Sequence, residues 1–306
     1  MNRVLVTGGQ GLIGSAFSDD FTKVGSQNYQ RKKYRFDLRN QSSTYSMFDV
    51  HRPDYVIHTA AKVGGLGSNI NNQAEYFYDN LMINTNVIEC CRLFKVKKLI
   101  AFSSTCIFPD GLETLTEDAI HDGQPHMSNY GYSHAKRMID VQIKTYNKQY
   151  GLNYVSVIPC NVYGPNDNFS LEHGHVIPSL IHKTYLAKND NTNLEIWGTG
   201  KPLREFIYSK DVAKIVEELL YKETPDSIIL SPNKSVTISD VVDIIVDEMK
   251  FKGDVIYNTD LPDGQFKKLT SNERLKQCSD VKLTSLRNGI RQTIKWFNKN
   301  YDFARK

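Results

Sequence analysis

The sequence predicts an α/β fold, a doubly wound parallel sheet with a smaller C-terminal lobe, on three observations. A glycine-rich turn follows a short apolar strand at the N-terminus, apolar strand-like runs alternate with long helical patterns, and a Tyr-x-x-x-Lys pair sits on one of those helices. Arg3-Val4-Leu5-Val6-Thr7 reads as a buried strand, and Gly8-Gly9-Gln10-Gly11-Leu12-Ile13-Gly14 turns out of it into a helix. Glycines at 8, 11 and 14 give the spacing Gly-x-x-Gly-x-x-Gly. Small residues so placed make the tight turn, let the backbone approach a pyrophosphate and pack helix on strand, while the helix N-terminus offers an anion site. Alone, such a match could be a glycine-rich surface turn; the strand before it and the helix after it favour a dinucleotide cofactor.

A site for NAD usually carries an acid about 20 positions past this turn. Here the zone reads Gln30-Arg31-Lys32-Lys33-Tyr34-Arg35. Cations there, Arg31 among them, suit a 2′-phosphate, so NADP(H) is favoured. Asp37, followed by Leu38, lies close by, and a solvated basic edge is the alternative.

Further strands are expected at residues 55–58, 98–102 and 154–158, separated by amphipathic helices at 71–94 and 130–150. Beyond Gly164-Pro165 the pattern loosens into loops rich in Asn, Asp and Gly, with helical stretches at 176–188, 212–221, 238–249 and 285–301. Residues 1–165 are expected to form a Rossmann-like nucleotide-binding domain, to which a segment near 205–235 returns, and 166–306 mainly a substrate-binding lobe. The length of 306 residues and hydrophobic content of 40% fit such a two-part molecule.

The net charge of +4 is mild and comes without an arginine-rich run or zinc-finger spacing, so nothing points to nucleic acid. Cys90, Cys91, Cys106, Cys160 and Cys278 are odd in number and lack paired metal-ligand spacing. They read as reduced thiols, with no metal and a cytoplasmic location expected. No run of 18 apolar residues occurs, so no membrane span is expected.

Tyr132 and Lys136 lie four apart and so share a helix face. A lysine ammonium beside the phenol should draw its pKa down from about 10 toward neutrality and make Tyr132 a proton donor or acceptor at a carbonyl. By itself the pair is a weak signal, since most such matches are solvated surface residues. The segment Phe102-Ser103-Ser104-Thr105-Cys106-Ile107-Phe108-Pro109 ends a core strand, at the sheet edge where ligands gather, and Ser104 could bind a substrate oxygen. Together with the N-terminal turn and Ala60-Ala61, these residues resemble the Ser, Tyr, Lys constellation of the extended short-chain dehydrogenase/reductases.

Within that group the chain resembles the GDP-L-fucose synthase family over nearly its whole length. The likeness is carried by Ala60-Ala61-Lys62-Val63-Gly64-Gly65, Ser104-Thr105-Cys106-Ile107-Phe108-Pro109 and Tyr130-Gly131-Tyr132-Ser133-His134-Ala135-Lys136-Arg137. It continues through Asn161-Val162-Tyr163-Gly164-Pro165-Asn166-Asp167-Asn168-Phe169, Gly174-His175-Val176-Ile177-Pro178, Trp197-Gly198-Thr199-Gly200 and Asp263-Gly264-Gln265-Phe266-Lys267-Lys268.

The resemblance implies that Cys106 and His175 are the acid/base pair for epimerisation and that Ser104, Tyr132 and Lys136 serve a reduction. It also implies GDP-sugar contacts at Ser104, Lys183, Trp197, Arg204 and Asp263. Cofactor contacts follow at Pro159, Cys160, Asn161, Val162 and His175, and a homodimer is expected. Read without it, Cys106 would pass for a small buried hydrophobe and His175 for a structural histidine. Which of the two is acid or base at each carbon stays open. The competing readings are a sugar-nucleotide 4,6-dehydratase, whose family usually carries an acidic residue where Cys106 stands, a 4-epimerase, and a non-catalytic NADPH sensor.

Overall fold

A computed structural model gives the structure of the protein and describes residues 2–25, 36–260 and 269–306. In chain order the elements are β1 (Val4–Thr7), a 3-10 turn (Gly14–Ala16), β2 (Thr22–Val24), α1 (Gln41–His51), β3 (Tyr55–His58), α2 (Leu66–Asn71), α3 (Gln73–Leu93) and β4 (Lys98–Phe102). There follow β5 (Thr114–Leu115), α4 (Tyr130–Tyr150), β6 (Val155–Pro159), β7 (Asn161–Tyr163), α5 (Val176–Asp190), β8 (Leu194–Trp197), β9 (Leu203–Tyr208) and α6 (Ser209–Leu219). The chain ends with β10 (Ser227–Leu230), β11 (Ser235–Thr237), α7 (Ile238–Met249), β12 (Val255–Asn258), β13 (Leu269–Thr270), α8 (Glu273–Cys278) and α9 (Leu286–Lys299).

The main sheet has the order β10-β6-β4-β3-β1-β2, and its pairings are parallel. Its strands other than the edge strand β2 are short, mainly apolar runs because both faces are covered, as parallel sheets require. Period-two alternation sorts the side chains. Val4, Val6, Ile57, Ile100 and Phe102 face Val212, Ile215, Val216 and Leu219 of α6. Leu5, Val56, Leu99 and Ala101 face Met47 and Phe48 of α1, Val87 and Ile88 of α3, and Ile139 and Ile143 of α4. β1 lies between β2 and β3, so the strand order reverses there and a crevice opens beyond the carboxyl ends of β1 and β3. A second core joins α5, α7 and α9, with Phe169 stacked on Phe297.

Two sequence expectations need correction. The helix expected after the glycine-rich turn is only the 3-10 turn Gly14–Ala16. Ser18 and Asp20 bond to each other and Ser18 N–H goes to Glu217, so local polar groups take the backbone away from helical bonding. The helix expected at 71–94 breaks at Asn72, whose φ of −127° is not helical and whose amide side chain bonds back to the Ser68 carbonyl, closing α2 before α3 begins.

Candidate active site

The N-terminal turn is packed as tightly as its glycines allow. Gly8 has φ +70°, and a Cβ there would lie 2.7 Å from the Ala60 backbone nitrogen. A Cβ on Gly14 would lie 2.2 Å from the Gly8 carbonyl oxygen. Gly9 N–H donates to Val24 and Gly11 N–H to Gly8, both at 2.9 Å. Thr59 Oγ1 donates to the Thr7 carbonyl at 2.7 Å and so ties the Ala60-Ala61 segment to the same edge. Gly8 to Gly14, Ala60 and Ala61 therefore meet where the strand order reverses, in a cradle that a side chain would fill. With the helix reduced to one turn, the loop's own N–H groups, rather than a long helix dipole, are what the cradle offers an anion. Arg39 binds Asp37 at 3.0 and 2.9 Å, which neutralises that acid, and the Leu38 carbonyl accepts from Asn86. Arg31 and its basic neighbours lie outside the described residues.

At the end of β4 the chain turns so that Ser104 caps a 3-10 turn (Thr105–Ile107) and its Oγ lies 3.0 Å from Cys106 Sγ. Arg137, buried on α4, donates through Nε to the Ile107 carbonyl at 2.9 Å and through Nη1 to Gly123 at 2.8 Å, fixing that turn. Burial pushes the Tyr132 phenol well above its usual range, the Cys106 thiol adds to the rise, and the Ser104 hydroxyl works against it.

Lys136 is buried, and its Nζ donates to the Phe102 carbonyl at 2.8 Å. Burial brings its pKa down to about 8. The expectation that Lys136 lowers the Tyr132 pKa is thus not met. Desolvation is the largest influence on the phenol, Lys136 is not among the groups acting on it, and the lysine's proton is directed at a backbone carbonyl instead.

Beneath these groups lies a relay absent from the sequence reading. His58 Nε2 bonds to Asn84 Oδ1 at 3.1 Å and Nδ1 to Thr7 Oγ1 at 2.7 Å. Burial, reinforced by the Lys136 charge, drives His58 down to about 3, so it is neutral. An amide oxygen only accepts, so Nε2 carries the proton and Nδ1 accepts from Thr7.

His175 caps the N-terminus of α5, on a different loop. Its Nδ1 lies 3.2 Å from Oδ1 of the buried Asp167, while the imidazole itself is 54% exposed. The hydrogen bond that His175 donates to Asp167 raises its pKa above 6.5, against desolvation. Cys106 and His175 thus belong to two separate hydrogen-bonded groups. Pro159 and Cys160, at the end of β6, are buried, and Asn161 Nδ2 donates to the Glu205 carbonyl, with Val162 next along β7.

Among the expected substrate contacts, Lys183 and Trp197 are brought together, Nζ lying 4.7 Å from the indole centroid. Arg204, half-buried on β9, donates to Leu203, and Asp263 lies outside the described residues. A cavity of about 310 Å³ between α1 and α3 is lined by Tyr45, Asn86 and Cys90, and none of the expected site residues lines it. Sequence reading passed over Asp167 and Arg137, although both stand inside matched blocks; their role appears only once their partners are known.

A dinucleotide cradle beside a Ser, Tyr, Lys group is the arrangement of a nicotinamide-dependent sugar-nucleotide enzyme, and the chain belongs to the NAD dependent epimerase/dehydratase family, whose model matches residues 4–229. Over its full length it is similar to GDP-L-fucose synthases. It is 46% identical to that of Dictyostelium discoideum, covering 99% of this chain and 97% of the relative. It is 35% identical to that of Sinorhizobium fredii, covering 97% and 96%. The crystal structure of a GDP-L-fucose synthetase from Naegleria fowleri bound to NADP superposes with a TM-score of 0.91 at 38% identity, covering 100% of this chain and 95% of that one.

Proposed function

We propose that the protein is an epimerase-reductase that inverts C3 and C5 of GDP-4-keto-6-deoxy-D-mannose and reduces its C4 ketone with NADPH, giving GDP-L-fucose. The observation that carries this is the full-length similarity to GDP-L-fucose synthases, at 46% identity to one of them. The local grouping of Ser104, Cys106 and Tyr132 supports it. The dehydratase, 4-epimerase and sensor readings are not favoured.

The glycine cradle fits NADP(H), with Asp37, Leu38 and Pro159 to Val162 as further contacts and Arg31 as the candidate for the 2′-phosphate. When bound, NADPH supplies the hydride that C4 receives. The residues of the chain do the rest. A C4 ketone acidifies the hydrogens at C3 and C5, and Cys106 and His175 remove and return protons from opposite sides. Charge that builds on O4 is met by the Ser104 and Tyr132 hydroxyls. Tyr132 then gives its proton to O4, a task suited to a phenol held protonated by burial. Lys136 braces Tyr132's helix against the end of β4 through the Phe102 carbonyl. Lys183, Trp197, Arg204 and Asp263 hold the GDP moiety, cations meeting the diphosphate and the indole a flat face.

We further infer a nucleotide-binding domain over 1–165 joined by 205–235, a substrate lobe in the remainder, a cytoplasmic location, and a homodimer pairing through α3 and α4. Exposed Phe77, Tyr78 and Val141 on those helices favour that pairing. No described helix is long and apolar enough to cross a membrane. The test incubates the protein with GDP-4-keto-6-deoxy-D-mannose and NADPH, follows NADPH oxidation and identifies the sugar nucleotide by NMR. GDP-L-fucose is expected; an unepimerised deoxysugar would make this a plain 4-reductase.

A further inference from the structure

We infer that Asp167 is a positioning residue for His175: its buried carboxylate binds Nδ1, holds the imidazole in one tautomer and leaves Nε2 as the nitrogen that exchanges protons. This rests on His175 being an acid/base group of the epimerisation.

Asp167 is 1% exposed, its Oδ1 accepts from Asn168 N–H at 2.7 Å and from His175 Nδ1 at 3.2 Å, and its Oδ2 is buried without a hydrogen-bond partner among the described residues. A buried carboxylate oxygen left unpaired is costly, and a purely structural role would be served better by an amide. A carboxylate can only accept, so Nδ1 must carry a proton.

The loop is built to hold this geometry. Asn168 Nδ2 donates to the His173 carbonyl, His173 N–H to Ser170 Oγ, and Gly174 N–H to the Ser170 carbonyl. Phe169 anchors the loop in the second core. A Cβ at Gly174 would meet the Ser170 carbonyl at 2.3 Å, so the residue before His175 has no room to shift.

Other charges face the ring. The N-terminus of α5 and Arg305 disfavour the imidazolium, Glu172 pairs with His173 at 3.6 Å, and among the described residues only Asp167 bonds the ring directly. Asp167 is therefore the group that raises the His175 pKa against those influences.

The test combines Asp167→Asn with NMR of the His175 ring nitrogens and with deuterium wash-in from D2O into the sugar across pH. In the wild type the Nδ1–H tautomer and a titration above 6.5 are expected. In the variant a mixed tautomer, a lowered apparent pKa and exchange slowed at least about tenfold are expected, with NADPH affinity within about twofold. Asp167→Glu should recover part of the exchange. A wild-type ring with Nδ1 unprotonated, or Asp167→Asn exchanging with the wild-type rate and pH profile, overturns the inference; the tautomer measurement decides even where the variant does not fold. His175→Asn separates the two layers: if it exchanges at the wild-type rate, the role of His175 itself falls, whereas its loss beside a normal Asp167→Asn removes only Asp167.

Discussion

The Ser104 hydroxyl lies 3.0 Å from the Cys106 thiol, and the same hydroxyl works against the rise in the Tyr132 phenol's pKa. One short turn therefore carries both a group suited to binding a ketone oxygen and a group suited to moving a proton at the neighbouring carbon. The two reactions of the proposed function need not occupy separate pockets. A single bound orientation, with O4 between two hydroxyls, acidifies C3 and C5 and prepares C4 for hydride.

Cys106→Ser tests the division of labour within that turn. A serine hydroxyl keeps the size and the bond to Ser104 but is a far weaker proton acceptor than a thiolate. NADPH binding should stay within about twofold while deuterium wash-in from D2O drops by at least about 100-fold, the span general acid–base groups commonly supply. Undiminished wash-in would remove Cys106 from the mechanism.

Tyr132→Phe removes the proton for O4 and one of its two hydroxyl donors. Reduction should fall by at least about 10³-fold, while part of the exchange at C3 and C5 survives on Ser104. The comparison reads NADPH oxidation and wash-in on the same protein. Equal loss of both would mean that the phenol serves enolisation as much as reduction, and loss of neither would sink the shared-site arrangement.

β1, β3, β4 and β6 of the parallel sheet were legible because they are buried apolar runs, and α4 and α7 fall at 130–150 and 238–249 as their periodicity dictates. β2 and β8 were missed, since Thr22–Val24 and Leu194–Trp197 are too short and too polar to stand out. At the site, Ser104, Cys106 and Tyr132 could be named because each carries its chemistry in its residue type and lies in a matched block. The relation of Lys136 to Tyr132 could not be read, because helical spacing gives only proximity; the choice of the Phe102 carbonyl as partner depends on where β4 ends. Asp167 acts through a neighbour eight positions away on a folded loop, and no local pattern announces that.

Gly14→Ala probes the cradle. The added Cβ would lie 2.2 Å from the Gly8 carbonyl oxygen, a backbone atom that cannot move without opening the turn. Destabilisation of about 1–3 kcal/mol is expected, with NADPH affinity at least about tenfold weaker. Gly67→Ala is the internal contrast: no atom lies within 4 Å of its Cβ position, and it sits in α2, so stability should rise by up to about 1 kcal/mol with NADPH binding unchanged. Melting curves with and without NADPH check both, and an unperturbed Gly14→Ala protein would show that the turn has slack.

His58 makes the acid side of the stability profile predictable. In the folded chain it takes a proton only near pH 3, and in the unfolded chain near 6.5. Between those values the unfolded state holds the extra proton, so the contribution is complete above 6.5 and drains away as the pH falls, by roughly 1.4 kcal/mol per unit. From pH 6.5 to 5 the wild type should lose about 2 kcal/mol more unfolding free energy than His58→Gln, which cannot titrate there. Urea unfolding of both proteins at the two pH values measures the difference, and parallel losses would show that His58 is not held neutral. The neutrality also bears on function. A cation at 58 would oppose the charge on Lys136, whose pKa of about 8 leaves little margin at neutral pH. The bonds to Thr7 and Asn84 that satisfy a neutral imidazole thereby help keep Lys136 an ammonium.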